Sequence, residues 1–330
     1  MSFSLFSDEA RLEKLSKIGD PLEKLSVIDW NIFSKVLNGA FTCKKTGRPP
    51  YDTLLLFKIL VLQRMYNLSD DQIEYQINDR ISFMRFLGLT TSDKVPDSKT
   101  IWLFREKLNK TGLMRKLFDA FKEQIASSGM IAHEGTIVDA TFVDVPKQRN
   151  TREENKTVKE NKIPEEWQDN KNKLRQKDTD ARWAKKNNEI HYGYKDHVKA
   201  DSNAKLITDY TVTDASVHDS KELGKLLDST DRRIYADSAY ADIPIPEHIE
   251  NQINEKGHRN RPLTELQKKR NEIKTRVRCR VEHIFAFMTN SMKGLTLRSI
   301  GKARAELNIG LTNLVYNLFR YSFLMRRQCV

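Results

Sequence analysis

Cysteine is nearly absent from this chain. Its 330 residues include three, Cys43, Cys279 and Cys329, which are far apart, odd in number and in no CxxC pair. A disulfide framework and a thiolate zinc site are therefore not expected. Long apolar runs are missing too. The longest, Leu54–Leu62, is interrupted by Lys58 and is far shorter than the ~20 residues of a membrane-spanning helix. The first residues, MSFSLFSDEARLEKL, hold acids where a secretory leader needs a basic segment and then an apolar one. We expect a cytoplasmic, prokaryotic protein with no membrane partner. No internal repeat is visible, which argues against a solenoid.

What the chain does have is positive charge. Net charge is +12 and charged residues make up 31% of the sequence, against 38% hydrophobic, with a pI of about 9.4. A basic protein of this kind suits a polyanionic partner, because Lys and Arg that neutralise phosphates release condensed counterions. The length suits about two domains at ~100–200 residues each.

Residues 1–130 read as helices. Ile28, Ile32, Val36 and, beside them, Phe33 and Leu37 follow helical spacing. The run Lys44-Lys45-Thr46-Gly47-Arg48-Pro49-Pro50 breaks the helix. Tyr51–Tyr66 is apolar nearly all round and predicts a buried helix. Ser69 is a good N-cap for the next helix. Asp79–Leu87, Ser98–Leu108 and Met114–Ser128 continue the pattern.

The pattern changes after residue 130. Thr136–Val143 is short and β-branched, so it reads as a strand. Residues 145–190 are polar and densely charged with both signs, a composition that buries little apolar surface. We read them as a flexible insertion that orders on DNA. Strands resume at His191–Ala200 and Leu206–Thr213. A short helix follows near Lys221–Leu227, then a strand at Arg233–Asp237, a long basic helix over 264–290 and an apolar helix at Ala303–Met325. Three strands, a helix, a strand and further helices resemble the order of ribonuclease H. The expected fold class is α/β: an RNase H-like mixed five-stranded sheet flanked by helices over 131–330, after an all-helical domain over 1–130.

Asp139 lies mid-strand between Val138 and Ala140, and Asp237 ends the run Ile234-Tyr235-Ala236. A carboxylate in an apolar strand is costly unless a cation or hydrogen bonds compensate it. Glu282 sits in a helix among Val281, Ile284 and Phe285. Three acids from three elements can converge on a hard cation, and an oxygen-rich set suits Mg²⁺. Taken singly, each acid is better explained as a loop cap or a surface partner, as Asp144, Asp201, Asp209, Asp214 and Asp242 illustrate; the combination is what points to a metal.

At this point the motifs carry a resemblance. TIVDATFVD (136–144) and IYADSAY (234–240) look like the two aspartate motifs of bacterial insertion-sequence DDE transposases. RVRCRVEHIFAFM (276–288) resembles the glutamate motif of the insertion-sequence-five family, with an Arg, here Arg278, four positions before the Glu. HYGYKDH (191–197), ASVHD (215–219) and the helical stretch GRPPYDTLLLFKILVLQRMYNLSDDQIEYQINDRISFMRFLGL (47–89) are similar to other parts of that family. The likeness runs from about residue 25 to 320. One position departs: the Lys often found seven residues after the Glu is Thr289, and the nearest downstream Lys is Lys293.

The resemblance implies a transposase that cuts and rejoins double-stranded DNA at terminal inverted repeats and target sites, working as a homodimer on DNA. It implies two Mg²⁺ ions, with Mn²⁺ as a substitute, about 3.5–4 Å apart. Asp139 would bridge them, with Asp237 and Glu282 each completing one site. Independently, residues 256–280 hold ten basic side chains against Glu265 and Glu272, a local charge of +8. Lys268, Lys269, Arg270, Lys274, Arg276, Arg278 and Lys293 are accordingly expected to meet phosphates. Lys99 and Arg105, on the second helix of a possible helix-turn-helix, are further DNA candidates, although a packing or dimerisation helix explains them as well. His218 and Asp219 either support a metal ligand or cap the following helix. Two other functions stay open: an RNase H-like nuclease that only cleaves, and a catalytically decayed DNA-binding regulator, for which Thr289 speaks.

Overall fold

A computed structural model describes residues 5–40, 49–131, 134–186 and 188–328. Cys43, Cys329 and most of the predicted breaker, Lys44–Arg48, lie outside them. The chain forms two compact units. One comprises Met1–Ser127 with Leu314–Val330, and the other Ser128–Asn313.

The first unit is helical: α1 (Leu5–Ile18), α2 (Asn31–Asn38), α3 (Thr53–Tyr66), α4 (Asp70–Asp79), α5 (Ile81–Leu87), α6 (Ser98–Thr111) and α7 (Leu113–Ser127). Local chemistry sets these boundaries. Asp52 caps α3 by accepting from the Leu54 and Leu55 amides, and Asn67 ends it in the left-handed conformation. Ser69 and Gln72 form a reciprocal capping box on α4. Helix α3 is buried on most sides, as its composition predicts, with Phe57, Ile59, Val61 and Leu62 fully enclosed. Phe33 on α2 packs on Phe57 and Phe121 with ring centroids 5.0 and 6.0 Å away, and such aromatic pairs dominate small cores.

The second unit is built on a sheet. Its elements are β1 (Thr136–Asp144), α8 (Arg152–Lys159), α9 (Glu165–Asp169), α10 (Lys171–Arg175), β2 (Arg182–Lys186), β3 (Glu189–Asp201), β4 (Ile207–Asp214), α11 (Leu223–Leu226), β5 (Arg233–Tyr235), β6 (Glu250–Asn251), α12 (Glu265–Arg278), α13 (Glu282–Ala286) and α14 (Lys302–Gln328), whose last turns belong to the helical unit. β1 pairs antiparallel with β3, and β3 with β4. β5 runs parallel to β1, and β6 parallel to β5. Three antiparallel strands followed by two parallel ones, with the first strand central, is the RNase H-like arrangement expected from the element order. The mixed α/β class holds, with a sixth strand, β2, added along β3.

Two departures have physical causes. The charged stretch 145–190 is not structureless: it holds α8, α9, α10 and β2. Composition hid its anchor, Trp167, which is wholly buried and donates its indole N–H to Glu154 at 2.6 Å. Buried Asp178 then accepts from the Tyr194 hydroxyl at 2.9 Å and from the Gly301 amide at 3.1 Å, which ties the insertion to β3 and to the start of α14. The long helix read over 264–290 is also divided. After α12 a 3-10 turn spans Cys279–Val281, α13 follows, and a π-helical turn covers Phe287–Ser291.

If Trp167 organises the insertion, Trp167→Ala should destabilise the sheet unit by roughly 3–5 kcal/mol and make residues 150–180 the first site of limited proteolysis. Unchanged urea stability with no new cut there would contradict this.

Candidate active site

Strand register brings the two aspartates together. In the parallel pair, Thr136 faces Ile234 and Ile137 faces Tyr235. Asp139 and Asp237 each follow this paired stretch by two residues, and the charge of Asp237 is felt at Asp139. Asp139 is mostly enclosed, with a side-chain exposure of 14%. Its Oδ1 accepts from the Ala140 amide at 2.8 Å and its Oδ2 from Arg278 Nη1 at 2.9 Å. Asp237 caps the 3-10 turn Ser238–Tyr240, accepting from the Ala239 amide at 2.6 Å.

Arg278, in the last turn of α12, makes the link to the third acid. Its Nη2 lies 3.6 Å from Glu282 Oε1 while Nη1 holds Asp139. Glu282 is exposed at the start of α13. The guanidinium therefore stands between the carboxylate of β1 and that of α13. Burial raises the Asp139 carboxyl above the usual aspartate range; the Ala140 amide and Arg278 oppose that, and the Asp237 charge adds to it. The cluster thus calls for positive charge, and all its ligand atoms are oxygens, as a hard divalent ion requires. By chemistry Asp139 and Asp237 fit such an ion. Among the described residues no three Asp, Glu, His or Cys side chains are grouped closely enough to hold one.

The support residues take definite places. His218 caps the turn Asp219–Glu222, with its Nδ1 2.7 Å from Ser220 Oγ, so the capping alternative is realised. Asp219 pairs with buried Lys195 at 2.8 Å, and Lys195 also donates to the Val217 carbonyl. Lys186, at the end of β2, is 3.8 Å from the same carboxylate. His197 is buried against the Thr213 hydroxyl at 2.8 Å, and burial lowers its pKa to about 4, so it is neutral. His191 stacks flat on Phe142 with centroids 4.0 Å apart.

Tyr240 is a residue that the sequence motifs did not single out. Its ring does belong to the core of Val138, Leu223, Leu226, Ile234 and Ala236. Its hydroxyl, however, is buried and has no hydrogen-bond partner among the described residues. Burial, then the charges of Asp219, Asp139 and Asp237, push its pKa upward. An unmade hydrogen bond in such a place costs roughly 1–3 kcal/mol. The available sequence signal was its place three residues after Asp237, at the end of the turn that Asp237 caps.

With this geometry in hand, a family model described as Transposase DDE domain matches residues 131–318. The chain belongs to the DDE transposase family. A second model, described as Transposase domain (DUF772), matches residues 10–107. Among solved structures, a cryo-EM structure of the piggyBac transposase synaptic complex with hairpin DNA is similar, with 16% identity and a TM-score of 0.44 over 94% of this chain and 76% of that one. The likeness to insertion-sequence transposases read from the motifs is thereby borne out at the level of the family. The protein is a DNA transposase, an enzyme acting on DNA, and DDE transposase domains generally use divalent metal ions. Among its described residues no helix is long and apolar enough to cross a membrane.

The transposase spreads its basic residues more unevenly than the sequence suggests. α12 buries none of its residues and docks through polar contacts: Asn271 brackets the backbone of Glu255, and Lys274 donates to the Ile253 carbonyl at 2.9 Å. Lys274 and Arg278 are therefore turned inward rather than toward solvent. Lys268 and Arg276 are exposed but paired with Glu265 and Glu272 at 2.8 and 2.9 Å. Such surface pairs are weak, so both remain open to a phosphate. Lys269 and Arg270 are exposed. Lys293 is exposed, with a φ of 58°, just past the π turn that carries exposed Thr289. In the helical unit Lys99 is exposed, but Arg105 is locked on both oxygens of Asp70 at 2.7 Å and contacts Gln63, which argues against a DNA contact for it.

A buried acid of the same sheet supplies a pH test. Asp196, fully enclosed on β3, accepts from Asn313 at 3.1 Å, and burial raises its pKa to about 7. A carboxyl raised on folding contributes stability below its unfolded pKa of ~3.9 and loses it as pH rises through about 7. Asp196→Asn should therefore raise Tm more at pH 8 than at pH 5. An equal change at both values would refute this.

Proposed function

We propose that this transposase cuts and rejoins DNA ends through the acids Asp139, Asp237 and Glu282, which would hold two Mg²⁺ ions, with Mn²⁺ as a substitute. The observation that carries the reading is that Asp139 and Asp237 each stand two residues past the paired stretch of neighbouring parallel strands, with Arg278 joining Asp139 to Glu282. When bound, the ions supply the positive charge that a phosphodiester needs as its leaving oxygen gains charge. The chain's own residues do the rest. The Ala140 and Ala239 amides fix one oxygen of each aspartate. Glu282, exposed at the start of α13, turns toward the pair once Arg278 gives way. Arg278 then has a phosphate to engage in place of Asp139, a charge-assisted exchange of one oxyanion for another.

The exposed face of α12 at Lys268, Lys269, Arg270 and Arg276, together with Lys293, would follow the backbone of terminal-repeat and target DNA. Lys99 would extend the contact from the helical unit. Coordinating two ends requires two active sites, so we expect a homodimer on DNA, working in the cytoplasm beside the nucleoid. A helical DNA-binding or dimerisation domain over 1–130 and a catalytic domain over 131–330 follow from the same reading.

The test is strand cleavage and joining on DNA carrying the element's own ends, with Mg²⁺ and with chelator. Metal-dependent cleavage with joined products, reduced at least ~100-fold in Glu282→Gln, is expected, the order of loss seen when a charge-stabilising group is removed from an active site. Cleavage without joining would indicate a nuclease. Tight binding without chemistry would indicate a regulator, with Thr289→Lys the variant to examine for recovery.

The proposed DNA face has its own expected outcome. Lys269→Glu with Arg270→Glu should weaken end binding uniformly across sequences. The slope of log K against log salt should become shallower by about 0.9 for each lost phosphate contact. An unchanged slope would remove α12 from the interface.

A further inference from the structure

Tyr240 combines features that its place in the core does not explain. Its ring is seated among Leu223, Leu226, Ile234 and Ala236, and the whole residue is 1% exposed. Phenylalanine would fill that place equally well. The hydroxyl makes no hydrogen bond among the described residues, and buried polar atoms in folded proteins nearly always make one. The surrounding charge is negative, from Asp219, Asp139 and Asp237. An O–H donor set among carboxylates is suited to an acceptor oxygen.

The carboxylates differ in what they have spare. Asp139 uses both oxygens, one on the Ala140 amide and one on Arg278. Asp219 is held by Lys195, with Lys186 close by. Asp237 has one oxygen engaged, by the Ala239 amide. Asp237 is the extended N-cap of the 3-10 turn Ser238–Tyr240, and the Tyr240 amide bonds the Asp237 carbonyl at 3.2 Å.

We propose that Tyr240 is a positioning residue for Asp237: in the DNA-bound state its hydroxyl donates to the second oxygen of that carboxylate and fixes its orientation. This rests on the reading of Asp237 as a metal-holding acid. Carboxylates that hold metals are themselves held by hydrogen bonds, and loss of such a partner typically weakens metal affinity or activity 10–100-fold. In the free protein the hydroxyl has no partner among the described residues, so its removal should cost the fold nothing.

The test compares wild type with Tyr240→Phe in three measurements: Tm of the free protein, Mn²⁺ affinity of the protein bound to end DNA by calorimetry, and the cleavage rate as kcat and KM for DNA. We expect Tm unchanged or higher, Mn²⁺ affinity at least ~10-fold weaker, and kcat lower with KM for DNA unchanged. A lower Tm would make the hydroxyl structural and overturn the proposal. Wild-type Mn²⁺ affinity and kcat in the variant would overturn it while leaving the transposase chemistry intact. A wild-type protein that binds no Mn²⁺ and cuts no DNA would overturn both readings.

Discussion

The ion pair between Asp139 and Arg278 is the interaction on which the rest of the site depends. A central strand of an apolar sheet is a poor place for a carboxylate, and burial there works against its charge. The guanidinium at 2.9 Å makes the ionised form tenable, and it reaches Asp139 only because α12 ends beside β1. α12 is held there by hydrogen bonds to the backbone of Ile253 and Glu255 instead of by apolar burial. A helix fixed in this way can be basic along its whole outer face without losing its seat. The same element therefore provides the counter-charge within and the positive surface without.

A site that needs a cation in order to fold and another in order to react has to exchange one for the other. Breaking a buried pair by removing one partner costs roughly 3–5 kcal/mol. Arg278 accordingly leaves Asp139 only when comparable positive charge replaces it. In our reading, ions and DNA phosphate arrive together and divide the pair between them. The alternation of Lys195, Lys186 and Asp219 beside the cluster keeps a further acid neutralised, so that negative charge is concentrated on Asp139, Asp237 and Glu282.

Much of this was legible in the residues. β-branched runs predict β1, β3, β4 and β5 to within a few residues, and Ser69 caps the helix it precedes. The acids stood out because Asp139 and Asp237 each follow or interrupt an apolar run. What could not be read was long-range. Trp167 organises a segment whose composition otherwise suggests disorder, and no local pattern links it to Glu154. The charge of Arg278, Lys274 and Arg105 is as plain in the sequence as that of Lys269. Only the fold turns the first three inward to Asp139, Ile253 and Asp70. The Tyr240 ring is core, while the lack of a hydroxyl partner among the described residues depends on neighbours from several elements.

The most direct test of the central claim is a map of anomalous scattering from Mn²⁺ in crystals of the protein bound to its end DNA. The account predicts density within ligand distance of Asp139 and Asp237, with the Arg278 guanidinium moved off Asp139 and onto a phosphate. Density remote from both aspartates, or none with the Asp139–Arg278 pair still closed, would contradict it.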